Sequence, residues 1–279
     1  MQNNAICKIT NIKEVVTIGT VLERHWFRGH PKIYKYLDPH VFRGFYSNGL
    51  YREMGPNREC AVFEEFKRVT PSLYSNIPGK EDDLEWLILM QHYGVPTRLL
   101  DWTESILIAL YFAVKDYPDV DGEIWTLYPL ALNKKGSGFW GMPTLKNPFL
   151  QYLAKETNYD KEDNKLEFAK KIGLPGIPKS PVAFYPILNF IRMVVQSSTF
   201  TIHPFPKNGN RIEDILEDEK HLFRYVIPAI YKKDLLQNLN SLGIKNYKIF
   251  PDLDHFAQDI ISESKIVAYS PPEPPKFNN

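Results

Sequence analysis

The stretch GVPTRLLDWTES, at residues 94–105, concentrates residue types that bind and transform polar ligands. Between two strongly apolar segments lie a guanidinium, a carboxylate, an indole and a hydroxyl, on Arg98, Asp101, Trp102 and Thr103. Polar groups between buried elements need partners, and the N-terminus of a following helix offers free N–H groups to a ligand. A ligand site is one interpretation of this stretch. The other is that Arg98 pairs with Asp101 while Thr103 caps the helix.

The segment WFRGHP, at residues 26–31, presents the same choice. The guanidinium of Arg28 is planar and always charged, which suits a phosphate, and Gly29 lets a ligand approach the backbone. The alternative is an arginine that lies at the surface or in an ion pair.

A third polar cluster, QHYG at residues 91–94, ends a predicted helix. It forms either one wall of a cleft, with Tyr93 able to stack on a ring, or a satisfied polar cluster. His92 has no partner histidine at a metal-ligand spacing, so we expect no metal site. The sequence also lacks a P-loop and the GxGxxG, GxSxG, HExxH and paired CxxC motifs.

Several of these blocks together resemble the FRG-domain family, which is named for its Phe-Arg-Gly motif. The resemblance spans roughly residues 20–260, is weakest over 133–188, and is carried by WFRGHP, EEF, EWLILMQHYGVPTRLLDWTESILIALYFAV, RMVVQSSTF and IFPDLD. It implies a single domain over residues 1–270, with 133–188 as an insertion and 271–279 as a flexible Pro-rich tail.

The order of the motifs is also similar to that of the ADP-ribosyltransferase superfamily, whose fold is a split β-sandwich that grips NAD in an open cleft. Arg28 matches the first motif, an Arg or His, and Thr103 is the nearest match to the second-motif hydroxyl. Gln196 takes the place of the third-motif Glu and cannot supply its negative charge. Either Asp101 or Glu104 supplies that charge, or the fold binds a nucleotide without turnover.

Cleavage of the bond between ribose and nicotinamide develops positive charge on the sugar, so the site needs a carboxylate there and donors for the diphosphate. The resemblance therefore implies NAD as substrate and no metal. It implies catalytic roles for Thr103, Gln196 and Asp101, and cofactor-binding roles for Arg28, Gly29, Arg98, Tyr93 and Trp102.

The implied function is transfer of ADP-ribose to a macromolecular acceptor by a toxin or phage-defence effector, and an antitoxin protein is one partner that this class allows. An NAD hydrolase and a non-catalytic nucleotide- or partner-binding module are the alternatives. The basic stretch over residues 24–58 carries interleaved aromatic side chains, which favour single-stranded nucleic acid over protein as the acceptor, although the same side chains can form core. These aromatic residues are Tyr34, Tyr36, Phe42, Tyr46 and Tyr51.

Hydrophobic periodicity predicts the elements that position these residues. Helices are predicted at 58–69, from Asp82 or Asp83 to Gly94, from Asp101 or Thr103 to 117, at 232–243 and after Pro251. Strands are predicted at 26–27, 123–130, within 190–204, at 223–229 and at 247–250. Residues 133–188 have little periodicity and are expected to pack over a core that the flanking segments form. Together these elements predict an α+β fold.

The composition bounds the function classes. The chain has 34 Lys and Arg against 33 Asp and Glu, a net charge of +1, which argues against a protein that coats polyanions. Its two cysteines cannot form a disulfide framework, and the sequence has neither a signal-peptide pattern nor an apolar run of about 18 residues. We therefore expect a cytoplasmic protein that does not insert in membranes and recognises phosphate only locally.

Overall fold

The computed structural model describes residues 7–43, 45–47, 50–52, 56–155, 162–205, 210–217 and 220–264. Its strands form one large sheet and one hairpin. They are β1 (Cys7–Lys8), β2 (Trp26–His30), β3 (Phe45–Ser47), β4 (Leu50–Arg52), β5 (Leu99–Thr103), β6 (Gly122–Leu127), β7 (Val182–Phe184), β8 (Ser198–Ile202) and β9 (Leu222–Ile227).

Helices pack on both faces of the large sheet. They are α1 (Ile12–Val21), α2 (Pro56–Leu73), α3 (Asp83–His92), α4 (Ile106–Val114), α5 (Pro129–Ser137), α6 (Pro148–Lys155), α7 (Glu162–Lys171), α8 (Ile191–Val195), α9 (Ile212–Ile215), α10 (Ala229–Ser241), α11 (Asn246–Ile249) and α12 (Leu253–Ser264). The α+β class predicted from the sequence is confirmed. None of the helices in the described ranges has the length and apolar character needed to cross a membrane.

The seven-stranded sheet has the order β1-β9-β6-β2-β5-β8-β7, and its pairs are antiparallel except for β1 with β9. Strand β2 pairs with β6 along its whole length, and β5 pairs with β8 in the same way. Between β2 and β5, both fully described, the paired residues are Phe27 and Thr103 alone. The sheet is therefore split between these two strands beyond that pair.

Helix α4 lies very close to β2 because two glycines leave room for its backbone. A Cβ on Gly29 would lie 1.8 Å from the carbonyl oxygen of Ala109, and one on Gly122 would lie 2.5 Å from that of Ala113. Both distances are far shorter than van der Waals contact, so a side chain at either position would displace the helix. Gly29 and Gly122 thus fix the position of α4 against the sheet.

Three buried clusters form the core. One surrounds α4, with α1 and α10 and one face of the sheet, and a second surrounds α3 with α6 and β8. The third lies on the opposite face of the sheet and includes Trp26, Trp102 and Trp125. Residues of 133–188 supply fully buried members of the second cluster, among them Leu150, Tyr152 and Phe184. The expectation that this segment only covers a core formed by its flanks is therefore wrong.

Two other predicted elements differ from the structure. The helix predicted from Asp101 or Thr103 begins at Ile106, because residues 99–103 pair with β8 as a strand. Residues 247–250, predicted as a strand, lie largely in the short helix α11. In both cases a short apolar run carried too little periodicity to separate helix from strand. The predicted tail at 271–279 lies outside the described residues.

Candidate active site

A cleft of about 210 Å³ lies at the split between β2 and β5. It is lined by Phe27, Arg28, Gly29, Gln91, Asp101, Trp102, Thr103, Ile108, Phe112, Arg192, Gln196 and Ser198. A smaller hollow of about 30 Å³ shares five of these residues and extends the cleft toward His92. The cleft has room for a small ring or a phosphate group, and a larger ligand would extend onto the surface.

Arg28 crosses the split in the sheet. Its Nη1–H donates to the backbone carbonyl of Asp101, and the same nitrogen lies 3.5 Å from the Asp101 carboxylate oxygen Oδ2. Burial lowers the pKa of Arg28 to about 10 and the nearby Asp101 limits the shift, so the guanidinium is charged at pH 7. About 15% of the side chain is exposed. A buried cation with donors at the cleft surface suits an anionic ligand.

A buried pair holds Arg28 from behind. Arg28 donates Nε–H to Nε2 of His30 over 2.8 Å, and Nδ1 of His30 lies 2.8 Å from Oε1 of Glu123. Because Nε2 accepts this bond, the neutral ring carries its hydrogen on Nδ1 and donates it to Glu123. Burial lowers the pKa of His30 to about 4, against the opposing effect of Glu123. His30 is therefore neutral at physiological pH.

Asp101 presents a carboxylate to the cleft in a fixed orientation. Gln91 donates from Nε2 to Oδ2 of Asp101 over 2.7 Å, and Thr97 donates its hydroxyl hydrogen to Oε1 of Gln91, also over 2.7 Å. The Asp101 side chain is 52% exposed, so solvent or a ligand can reach it. Glu104, the other carboxylate considered from the sequence, is absent from the cleft lining and accepts a hydrogen bond from the Tyr185 hydroxyl.

Residues 23–122 match the family model of the FRG domain. The match supports, over this segment, the resemblance to the FRG-domain family that the sequence motifs indicate. Comparison with curated proteins and with solved structures gives no match. The matched segment runs from just before β2 to the first residue of β6, so it includes Arg28, Gln91 and Asp101. The arginine and glycine of the Phe-Arg-Gly motif thus contact the cleft and α4 respectively.

Part of the cleft lining comes from outside the matched FRG segment. Arg192 of α8 faces the cleft with its guanidinium carbon 4.7 Å from the ring centroid of Phe250. Burial lowers the pKa of Arg192, while the charges of Asp101 and Asp252 oppose the shift. Two arginines and one aspartate therefore give the cleft lining a positive balance, which favours anions.

Thr103 and Gln196, expected to be catalytic, lie at the cleft but are held by internal hydrogen bonds. The Thr103 hydroxyl donates to the backbone carbonyl of Gln196 over 2.7 Å and accepts from the N–H of Ser105. The Gln196 amide donates from Nε2 to the carbonyl of Ile249 over 3.0 Å. These contacts tie β5, α8 and α11 together at one end of the cleft.

Gly29 and Trp102 also line the cleft, but neither offers a ligand what the sequence suggested. The space beside Gly29 is filled by the backbone of α4 and is not open to a ligand. The indole of Trp102 is buried in the core cluster on the other face of the sheet, and its Nε1–H donates to the Thr201 hydroxyl. The cofactor-binding role expected for Trp102 is therefore not supported by its position.

The structure places Arg98 and Tyr93 outside the cleft lining. Arg98 is fully buried, and its Nε and Nη2 donate to the two carboxylate oxygens of Glu59 over 3.1 and 2.6 Å. The interpretation that Arg98 pairs with Asp101 is wrong, since its partner is Glu59, and its full burial does not support a cofactor-binding role. Tyr93 is 55% exposed and packs edge-on against Tyr74 and His92.

Three of the five aromatic residues noted in the basic stretch 24–58 contact other side chains of the protein. Tyr34 packs on His30, Tyr36 lies 3.9 Å from the guanidinium carbon of Arg211, and Phe42 packs on Phe205. The side chains of Tyr46 and Tyr51 lie outside the described part of the chain.

Several residues that line the cleft are not predicted from the sequence, and Arg192 is the most important of them. Arg192 begins the segment RMVVQSSTF, but a helix of five residues is too short to give a periodic signal. Gln91 was noted only as part of a cluster that forms a cleft wall. The apolar pattern of the segment that forms α4 does not indicate that Ile108 and Phe112 line a cleft. Within the described residues, no group of three or more His, Cys, Asp or Glu is arranged to hold a metal ion.

Proposed function

We propose that the cleft binds NAD and that the protein transfers ADP-ribose from NAD to a macromolecular acceptor. One observation carries the proposal: the half-exposed carboxylate of Asp101 lies in a split sheet between two arginines, Arg28 and Arg192. An ADP-ribosyltransferase-like fold, in which a split β-sandwich grips NAD, is part of the same proposal. The split between β2 and β5 supports it.

In this proposal the two arginines bind the diphosphate and Asp101 stabilises the positive charge that develops on the ribose. Nicotinamide leaves with the electron pair of the carbon–nitrogen bond. A nucleophile of the acceptor then bonds to the anomeric carbon and gives up its proton to Asp101 or to solvent. Gln91 keeps the Asp101 carboxylate in place during these steps, because a fixed charge need not reorganise as the reaction proceeds.

We propose nucleic acid ahead of protein as the acceptor. The support is two arginines stacked on aromatic rings of the basic stretch: Arg43, whose charge acts on Arg28, lies over Tyr34, and Arg211 lies over Tyr36. A role as a toxin or phage-defence effector, with an antitoxin partner, rests on the resemblance alone.

A second candidate is a binding module that does not turn NAD over. The internal hydrogen bonds of Thr103 and Gln196 favour it, because the hydroxyl hydrogen of Thr103 and one amide hydrogen of Gln196 are already donated within the protein. A hydrolase is the third candidate, and it is favoured by the access of water to Asp101.

Incubation of the pure protein with adenylate-labelled NAD and a cell lysate separates these candidates. Transfer predicts label on RNA, DNA or protein, and nuclease or protease treatment of the product identifies the acceptor. Free ADP-ribose as the main product would replace transfer by hydrolysis. Intact NAD after incubation would reject both catalytic candidates, and the binding module would then be tested by equilibrium titration with NAD.

A matched pair of carboxylate variants tests the assignment of Asp101. We expect Asp101→Asn to lower the rate of nicotinamide release by about 10²–10³-fold, since one pre-oriented electrostatic group contributes that much to catalysis. The control is Glu104→Gln, which changes the neighbouring acid outside the cleft lining and should leave the rate within about threefold. Equal effects of the two substitutions would contradict the assignment.

A further inference from the structure

We infer that Glu123 and His30 form a buried positioning pair that fixes the guanidinium of Arg28 so that Nη2 faces the cleft. The inference rests on the proposed anion-binding role of the cleft and adds two positioning residues to it. Neither Glu123 nor His30 lies in the cleft lining, so both act through Arg28.

The geometry of the chain of contacts supports the pair. Glu123, His30 and Arg28 are linked by two hydrogen bonds of 2.8 Å each. Glu123 also accepts the backbone N–H of Tyr34 over 3.1 Å, which fixes its carboxylate. The side chains of His30 and Glu123 are 3% and 0% exposed. Burial excludes the competing water molecules that would otherwise let the ring and the carboxylate rotate.

The direction of each hydrogen bond follows from the chemistry of the three groups. A guanidinium has donors only, so its Nε–H requires an acceptor, and neutral His30 supplies one at Nε2. The carboxylate of Glu123 can only accept when it is charged, so it selects the Nδ1–H tautomer of His30. A protonated His30 would have no acceptor for Arg28 and would place one cation against another.

The donors of Arg28 are used unevenly. Its hydrogen bonds to other described residues use Nε, held by His30, and Nη1, held by the carbonyl of Asp101. None of those bonds uses Nη2. A guanidinium held on two sides does not lose rotational freedom when it binds an anion, and such preorganisation increases affinity.

Two variants of His30 separate positioning from simple stability. An asparagine at this position puts its amide nitrogen near the place of Nδ1, so His30→Asn keeps a donor to Glu123 but offers Arg28 no acceptor. A glutamine reaches the place of Nε2, so His30→Gln restores an oxygen that can accept from Arg28. A merely structural role would give both variants similar losses.

The readouts are the NMR signal of the Arg28 Nε–H and the dissociation constant for inorganic pyrophosphate. We expect a signal protected from solvent exchange in the wild type and in His30→Gln, and lost in His30→Asn. We expect the dissociation constant to rise about tenfold in His30→Asn and to stay within about threefold in His30→Gln. An unchanged Nε–H signal in His30→Asn, or equal losses of affinity in both variants, would overturn the inference.

The wild type alone provides a second test that does not depend on the folding of the variants. The ¹⁵N signals of the His30 ring at pH 7 must show a neutral imidazole with its hydrogen on Nδ1. The Nε2–H tautomer or a protonated ring would overturn the inference. These signals are independent of NAD cleavage, so positioning can be upheld where NAD stays intact and the proposed function fails.

Discussion

Arg28 and Arg98 both lie beside strand β5, each with a histidine nearby, yet their surroundings differ. Arg98 is enclosed in the core: it binds both carboxylate oxygens of Glu59, donates to the carbonyl of Leu153, and lies 4.3 Å from the ring centroid of Phe205. Arg28 has a neutral histidine and a backbone carbonyl as hydrogen-bond partners, and the carboxylate that lies 3.5 Å from its Nη1, that of Asp101, is half-exposed at the cleft. The charge of Arg98 is therefore neutralised inside the protein, whereas that of Arg28 can act on a ligand.

The difference shows that the partners of an arginine decide its role more than its sequence motif does. Arg98 stands in the most distinctive polar motif of the chain, which made it a candidate ligand residue. Its structural partner Glu59 lies 39 residues earlier, on α2. A guanidinium whose donors are used by one buried carboxylate has little left for a substrate.

The largest effect expected from this comparison is the loss of folding stability when Arg98 is substituted. We expect Arg98→Met to lower the free energy of unfolding by about 3–5 kcal/mol, because it leaves the buried carboxylate of Glu59 without a counter-charge. Urea denaturation measures the change. The double variant Arg98→Met/Glu59→Met should recover much of the loss, since no buried charge is then left unpaired. A loss below about 1 kcal/mol in the single variant would show that Arg98 is not a structural residue.

The next largest effect is on stability at Gly29, where β2, the strand that carries Arg28, packs closely against α4. We expect Gly29→Ala to lower the free energy of unfolding by about 3 kcal/mol, because its Cβ would overlap the backbone of α4. Gly176→Ala is the control, since no heavy atom lies within 4 Å of its added Cβ, and it should change stability by no more than about 1 kcal/mol. Similar results for the two variants, measured by urea denaturation, would contradict the close packing of α4 on β2.

The histidine beside Arg98 gives a smaller, pH-dependent effect. His203 donates its backbone N–H to the carbonyl of Arg98, and burial lowers the pKa of its ring to about 3. Its unfolded pKa is about 6.5, so its contribution to stability is present above pH 6.5 and is lost as the pH falls toward 3. We expect a loss of about 2 kcal/mol from this group between pH 7 and pH 5.

The Thr201 hydroxyl lies 2.8 Å from Nε2 of His203. The variant His203→Gln isolates the contribution of the ring, because glutamine does not titrate and can still contact that hydroxyl. Unfolding free energies of wild type and variant at pH 7 and pH 5 give the difference directly. His30 is present in both proteins, so its own protonation cancels. If the free energy of unfolding changes equally with pH in the variant and the wild type, the ring of His203 is not held neutral by burial in the folded protein.

The sequence motifs predicted part of the site because they lie on adjacent strands. Arg28 and Asp101 belong to β2 and β5, and Thr103 pairs directly with Phe27, so local motifs became neighbours in the sheet. The ion pair between Arg98 and Glu59 could not be predicted in the same way, because neither local sequence indicates which distant residue its charged side chain will contact.

The prediction of the fold failed where a run was short. The residues LLDWT form a buried strand, but their apolar neighbours extend into α4, and the combined run favoured a helix from Asp101. Pairing with β8 decides the outcome, and a contact between strands about 100 residues apart leaves no periodic trace in either segment. The longer helices α3 and α10 were predicted near their observed bounds because their patterns and end residues agree.

The proposal that this cleft binds NAD is tested most directly by the affinity for NAD with and without the guanidinium of Arg28. We predict that Arg28→Met raises the dissociation constant for NAD about 10–100-fold, since a hydrogen bond to a charged group contributes about 1.5–3 kcal/mol. Arg24→Met is the control, because Arg24 lies just before β2 and its side chain is 79% exposed, and it should bind NAD as the wild type does. Equal NAD affinity in Arg28→Met and wild type, or no NAD binding by the wild type, would contradict the assignment of this cleft.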